Sequence, residues 1–213
     1  MVKLPKSFGL IAPYAAWMVL MAALPSTAFA YAIRTCVVGA ILLVVLRSEC
    51  RKLILGEPLG EYADSPRSDF RSFLPSLVIG FATGIVVFVL WILPEQLGWE
   101  WYKRWCIVGE GGTQAVAEAS AAMIAVRLIG SAFVISVAEE LFFRKWLIGF
   151  AGFGWMVVLF AVEHDRWLAG AVAGVAYGLL YLRKGLLSAI VAHTTTNLVL
   201  GLWVLKTGQW QFW

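Results

Sequence analysis

The sequence predicts an all-α fold, a polytopic transmembrane helical bundle of seven to eight spans, and its composition carries this prediction. Hydrophobic residues make up 61% of the 213 residues, well above the ~45–50% of a soluble domain. Charged residues make up only 14%, against a usual ~25%, and the mean hydropathy is +0.82. These values exclude a disordered chain and an ordinary soluble globule. The length allows a single membrane-embedded domain over residues 1–213.

Seven apolar stretches approach the ~20 residues that are needed to cross a bilayer. They are residues 7–33, 28–46, 72–94, 120–143, 146–162, 167–182 and 185–205. The first two form a predicted hairpin that turns near Pro25. An eighth span arises if 185–205 breaks into two halves, or if 146–165 folds as a re-entrant piece.

Glycines at helical spacing predict close contacts between some of these spans. Gly170, Gly174 and Gly178 fall on one face of a helix, and Gly80 and Gly84 form a shorter version of the pattern. A face without side chains lets a neighbouring helix approach closely. We therefore interpret both sets as packing surfaces.

The formal net charge of +4 does not indicate a nucleic-acid partner. The 17 Lys and Arg residues are spread along the chain without a basic run. In a membrane protein such residues mark the cytoplasmic ends of the spans. The partner predicted from composition is therefore membrane lipid.

Ionisable side chains inside apolar spans are costly, so they mark candidate functional sites. Three clusters qualify, at residues 138–144, 160–166 and 192–197. The chain contains only two histidines, His164 and His193. Any chemistry that needs an imidazole must therefore use the second and third clusters.

The first cluster places two acidic residues next to each other. Glu140 and Arg144 are four residues apart with the acid first, which is the favourable order for an ion pair on one helix face. Glu139 points ~100° away from Glu140, so this carboxylate is predicted to be free to act. The alternative is a pair of solvated acids at a helix end, with Arg144 and Lys145 at the membrane interface.

The other two clusters repeat the four-residue spacing. Phe160 and His164 share one helix face, although a lone histidine near the end of a span is also typical of an interface position. His193 and Asn197 share a face inside a charge-free stretch, where buried polar groups need partners. If the turns beside the clusters lie on one side of the membrane, all three meet near its middle. A helix boundary at Arg144 instead separates the first two clusters, and both alternatives stay open.

The ordered motifs Glu-Glu-x-x-x-Arg, Phe-x-x-x-His and His-x-x-x-Asn within residues 139–197 resemble the CPBP family. These are intramembrane proteases related to CAAX prenyl endopeptidases, also called the Abi family. Residues 163–167 and 207–213 are similar to the CAAX protease-related proteins found with bacterial exosortase systems. The resemblance implies an intramembrane endopeptidase in a bacterial inner membrane. It also implies a membrane-anchored protein or peptide as substrate and an exosortase-related export system as partner.

The resemblance implies a role for each of six residues. Glu139 is the general base that activates water, Glu140 and Arg144 are a supporting pair, His164 holds or polarises the water, and His193 and Asn197 stabilise the oxyanion. These roles agree with the needs of amide hydrolysis, an activated water and donors for the developing negative oxygen.

The sequence leaves the cofactor open. Glu139, His164 and His193 could ligate Zn²⁺ with a water in the fourth position. A mechanism without metal, in which Glu139 acts as the base, is compatible with the same residues.

Two functions other than proteolysis are compatible with a small polytopic protein. A proton-coupled transporter would also bury ionisable groups, but the chain is short and shows no repeated halves. A non-enzymatic membrane scaffold of an export system fits the packing glycines, but it does not explain the pairing of His193 with Asn197.

Overall fold

The computed structural model describes residues 7–54, 70–108 and 120–212, and over these residues the chain forms eight helices. They are α1 (Phe8–Ala23), α2 (Ala28–Ile54), α3 (Phe70–Gln96), α4 (Glu100–Cys106), α5 (Ala121–Ala151), α6 (Phe153–Val162), α7 (Trp167–Lys184) and α8 (Leu186–Thr207). A short 3₁₀ turn at Trp210–Phe212 follows α8. The predicted all-α fold is confirmed.

Helix lengths divide the bundle into long and short members. By length and composition, α2, α3, α5 and α8 can each cross a membrane. Helices α1 and α6 are apolar but have only 16 and 10 residues. At 1.5 Å per residue, α6 measures ~15 Å, about half the ~30 Å hydrocarbon core of a bilayer. The chain is thus an integral membrane bundle in which α6 is too short to span by itself.

The N-terminal hairpin turns where the sequence predicts it. Helix α1 ends at Ala23 and α2 begins at Ala28, with Pro25 in the turn. The buried Arg34 of α2 donates hydrogen bonds to the carbonyl oxygens of Leu20, Leu24 and Pro25 at 3.0–3.3 Å. The last carbonyls of a helix lack partners within the helix, so this cation caps the C-terminus of α1.

The predicted boundary between the fourth and fifth spans is wrong. The sequence predicts one span over 120–143 and another over 146–162, whereas α5 continues without interruption to Ala151. The break comes at Gly152, whose φ of +88° is a conformation that glycine adopts without strain. The alternative with Arg144 at a helix end is thereby excluded. Helix α8 is unbroken, so 185–205 does not split into two halves.

The predicted glycine faces are confirmed as contact surfaces. A Cβ added to Gly84 of α3 would lie 2.5 Å from the carbonyl oxygen of Ala192 in α8. On α7, a Cβ at Gly170 would lie 3.2 Å from the Cβ of His164, and one at Gly178 would lie 2.7 Å from Met156 Cε. Glycine therefore allows α8 to lie against α3 and α6 to lie against α7, and these contacts place all three clusters side by side.

Candidate active site

Helix α5 carries the first cluster in an irregular stretch of backbone. Residues Gly130–Ile135 and Glu140–Leu147 are π-helical, with Glu139 in the short α-helical segment between them. A π-turn widens the helix, and such turns occur frequently at functional sites. The wider turn lets the consecutive acids Glu139 and Glu140 both lie inside the bundle, where each is buried.

Glu140 and Arg144 form the ion pair that the four-residue spacing predicts. Glu140 Oε1 lies 3.0 Å from Arg144 Nη1, and both side chains are fully buried. The guanidinium carbon lies 4.1 Å from the centroid of the Phe160 ring, which adds a cation–π contact. Two charges without access to water need this mutual neutralisation, so the pair fixes the core of the site.

Glu140 also orients the histidine of the third cluster. His193 Nδ1 lies 2.8 Å from Glu140 Oε1. Because a carboxylate accepts hydrogen bonds, Nδ1 carries the proton and donates, which leaves Nε2 with a lone pair. The imidazole stacks on the Tyr177 ring at 5.0 Å between centroids. The imidazole of His193 is therefore held from two sides.

Glu139 has a different environment from its neighbour. Its Oε2 lies 3.7 Å from His193 Nε2, beyond direct hydrogen-bond distance. Among the hydrogen bonds of the described residues, this buried Oε2 has no partner. Over the residues that the structure describes, the Oε2 of both acids lacks a hydrogen-bond partner, but Glu140 is paired through its Oε1 with Arg144 and His193, whereas Glu139 reaches His193 only at 3.7 Å.

His164 lies just beyond the end of α6 rather than on its face. The helix ends at Val162, and His164 Nδ1 lies 2.7 Å from the carbonyl oxygen of Phe160. A carbonyl only accepts, so Nδ1 donates and Nε2 is left with a lone pair. The ring packs against the edge of Trp91 at 5.5 Å between centroids. The sequence predicts that Phe160 and His164 share one face of a helix. The helix instead ends between them, and the turn that follows keeps the two rings in contact.

The structure adds Glu163 and Tyr14 to the predicted residues. The Tyr14 hydroxyl donates a hydrogen bond to Glu163 Oε2, and the ring stacks on Phe142 of α5. From the sequence, Glu163 is expected to orient the His164 imidazole or to face water, and Tyr14 is assigned no role. One feature of the sequence could have indicated Tyr14, because it is the only residue with a hydroxyl group in the apolar helix α1.

Glu139, Glu163 and His164 each offer a donor atom, and these three atoms lie within 4.8 Å of one another. One nitrogen and two carboxylate donors form a set that zinc accepts. Zinc–ligand bonds of ~2.0–2.2 Å put tetrahedral donors roughly 3.3 Å apart, so small side-chain movements would complete such a site. This set differs from the one expected from sequence, because Glu163 takes the place of His193.

Asn197 lies one turn beyond His193 on α8 and contacts the π-helical part of α5. Its amide nitrogen donates to the carbonyl oxygen of Ser131 and to Ser136 Oγ, both at 3.0 Å. A carbonyl oxygen can only accept, which fixes the nitrogen on this side of the amide. Both amide hydrogens are therefore used inside the protein.

A cavity of about 210 Å³ opens beside these groups. Its polar wall includes His164, His193 and Asn197, and its apolar wall includes Trp91, Phe160 and Phe212. Imidazole and amide groups thus border a small space whose lining is mostly apolar.

Comparison with known protein families gives a match to part of the chain. Residues 121–199 match the family model described as type II CAAX prenyl endopeptidase Rce1-like. The matched segment begins with α5 and ends in α8, so it contains all six residues predicted from sequence. No curated protein and no solved structure matches the chain. The description of the matched family names an endopeptidase, which is a type of protease.

Proposed function

We propose that this chain, which resembles the CPBP family and matches the Rce1-like family model over residues 121–199, is an intramembrane endopeptidase that hydrolyses a peptide bond of a membrane-anchored protein. The observation that carries the proposal is the convergence of Glu139, His164 and His193 from three different segments: donor atoms of Glu139 lie near both histidines, and the two histidines line one cavity. A protease needs an activated water and a place for the scissile carbonyl in one site. A bacterial inner membrane and an exosortase-related partner remain part of this proposal.

The geometry around Glu139 supports its role as general base. Glu139 Oε2 and His193 Nε2 face each other as two hydrogen-bond acceptors, 3.7 Å apart. A water between them can donate one hydrogen to each group and direct a lone pair at a carbonyl carbon. As the new C–O bond forms, Glu139 takes one proton from the water.

The second half of the reaction returns that proton. The tetrahedral intermediate carries a negative oxygen, the new hydroxyl and the substrate nitrogen. Protonated Glu139 gives its proton to the nitrogen as the C–N bond breaks, which yields a carboxylic acid and an amine. Glu139 is thereby regenerated without any other reactant.

The oxyanion needs hydrogen-bond donors, and the resemblance assigns this role to His193 and Asn197. His193 donates through Nδ1 to Glu140, and its Nε2 only accepts, so Asn197 is the donor of this pair for the oxyanion. Because the Asn197 amide donates to Ser131 and Ser136, a substrate oxygen must replace one of these two acceptors. The replaced group is a serine hydroxyl or a main-chain carbonyl beside the cavity. Substrate binding is therefore coupled to the π-helical segment Gly130–Ile135.

The test is proteolysis in a reconstituted membrane. The purified chain is placed in lipid vesicles with a library of labelled, membrane-anchored peptides, and new termini are identified by mass spectrometry. The proposal predicts cleavage by the wild type and none by Glu139→Ala or by empty vesicles. The proposal would be contradicted if Glu139→Ala cleaved as well as the wild type, or if the wild type did not cleave at all. Either result would favour a non-enzymatic scaffold.

A further inference from the structure

The apolar wall of the cavity includes a residue from the 3₁₀ turn after α8, which has no part in the proposed reaction. We propose that Phe212 determines the size of the substrate side chain that the active site accepts. This inference rests on the proposed function and specifies its substrate class, a peptide with a bulky apolar side chain next to the scissile bond.

The chain turns back sharply after α8 to bring this segment to the cavity. Gly208 has φ +70° in the left-handed conformation, and its N–H donates to the carbonyl oxygen of Val204 at 2.8 Å. Glycine adopts this helix-ending conformation without strain. The Gln96 amide then donates to Gln209 Oε1 at 2.8 Å, which joins the turn to the end of α3.

Contacts from two further segments hold the Phe212 ring. The side chain is 5% exposed and packs edge-on against Trp203 of α8 at 5.4 Å between centroids. The guanidinium carbon of Arg166 lies 4.4 Å from the ring centroid. Arg166 in turn forms an ion pair with Glu95 of α3 at 2.5 Å. The ring is therefore a fixed wall rather than a loose terminal side chain.

The size and lining of the cavity define what it can hold. Its volume of about 210 Å³ is below the ~300–1,000 Å³ of sites for drug-sized ligands. Phe212 shares the lining with the apolar Trp91 and Leu200 and with the polar His164 and His193. A space of this size beside the candidate catalytic groups suits one bulky apolar side chain, and Phe212 limits its length.

The matched family segment does not account for this wall. The match ends at residue 199, so Phe212 and the turn that carries it lie beyond it. The size limit is consequently a feature of this chain's own C-terminal turn.

Substitutions at Phe212 test the proposal with matched peptides. Four membrane-anchored substrates differ only in the residue before the scissile bond, which is Ala, Leu, Phe or Trp. Phe212→Ala is expected to raise kcat/KM for the Trp peptide relative to the Ala peptide by about tenfold or more, and Phe212→Trp to shift it the other way. Gln211→Ala, an exposed neighbour in the same turn, is expected to leave the order unchanged.

A second measurement works without cleavage. N-acetyl amino-acid amides with the same four side chains are added to detergent-solubilised protein, and the rise in melting temperature reports binding. Phe212→Ala should be stabilised most by an amide with a larger side chain than the amide that stabilises the wild type most. Phe212→Leu takes its place if the alanine variant does not fold. An unchanged order of amides and peptides in these variants overturns the inference. A shifted amide order without any cleavage overturns only the proposed proteolysis.

Discussion

His193 lies between two consecutive glutamates of α5, with Nδ1 2.8 Å from Glu140 Oε1 and Nε2 3.7 Å from Glu139 Oε2. The nearer acid also pairs through the same Oε1 with the buried Arg144, whereas within the described part of the chain the farther acid has no contact as short as these, and the Oε2 of both acids lacks a hydrogen-bond partner. One imidazole thus lies between a carboxylate held in an ion pair and the carboxylate that we propose as the base. This division between neighbouring residues is the basis of the proposed chemistry.

The buried ion pair gives a prediction for stability. Arg144→Met leaves Glu140 buried without its cation and is expected to lower the free energy of unfolding by ~3–5 kcal/mol. Adding Glu140→Leu to that variant is expected to restore part of this loss, because no unpaired charge remains. Denaturant unfolding in detergent measures both variants.

The exposed pair of Glu100 and Lys103, 2.9 Å apart, is the control for this prediction. Lys103→Met is expected to change stability little, since exposed ion pairs contribute little. A double variant less stable than Arg144→Met alone would contradict the account of the pair.

The contact between α3 and α8 gives a second prediction. A Cβ at Gly84 would lie 2.5 Å from the Ala192 oxygen and 2.6 Å from Thr195 Cβ. Gly84→Ala is therefore expected to force the helices apart, at a cost of ~1–3 kcal/mol, and to reduce cleavage as His193 moves with α8. The control is Gly154→Ala, because a Cβ there meets nothing within 4 Å. Equal melting temperatures for the two variants would rule out the proposed close contact.

Tyr14 is expected to position Glu163 in the active site. Tyr14→Phe removes the hydroxyl that donates to Glu163 and keeps the ring that stacks on Phe142. Because a hydrogen bond to a charged group contributes ~1.5–3 kcal/mol, cleavage is expected to fall by about tenfold. The matched control is Tyr181→Phe in α7. A fall in kcat shared equally by both variants would show that Tyr14 is not specific to the site.

Removing any bound metal distinguishes two roles of Glu139, general base or metal ligand. If Glu139 is the base, it is not a permanent ligand, and Glu163 and His164 remain as two donors of the three-residue cluster. Catalytic zinc sites use three protein ligands, so cleavage is expected to persist after dialysis against a chelator. Metal content of the same sample is measured in parallel. Loss of cleavage that zinc alone restores would make Glu139 a ligand instead.

Local spacing predicted the parts of the site that depend on one helix. The pairing of Glu140 with Arg144 follows from their four-residue separation, and the glycine faces follow from the same periodicity. The turn near Pro25 likewise follows from a local signal. Such features need no knowledge of the remaining fold.

Local sequence patterns do not predict the long-range contacts or the irregular backbone of the site. The π-helical stretch Glu140–Leu147 has no signature in composition, so the end of α5 was placed too early. The bond from Tyr14 to Glu163 joins residues 149 positions apart, and the contact of Phe212 with the cavity depends on the turn after α8. These relations arise from the packing of whole helices, which local patterns do not encode.

The most direct test of the account is the cleavage rate of Glu139→Gln, which keeps the size of the side chain and removes the base. The account predicts a fall in kcat/KM of about 10²–10⁴ on the best membrane-anchored peptide, with the melting temperature of the wild type. Glu100→Gln, at an exposed side chain of α4, is the matched control and should cleave at the wild-type rate. A Glu139→Gln variant that cleaves as fast as this control would contradict the assignment of Glu139 as the base.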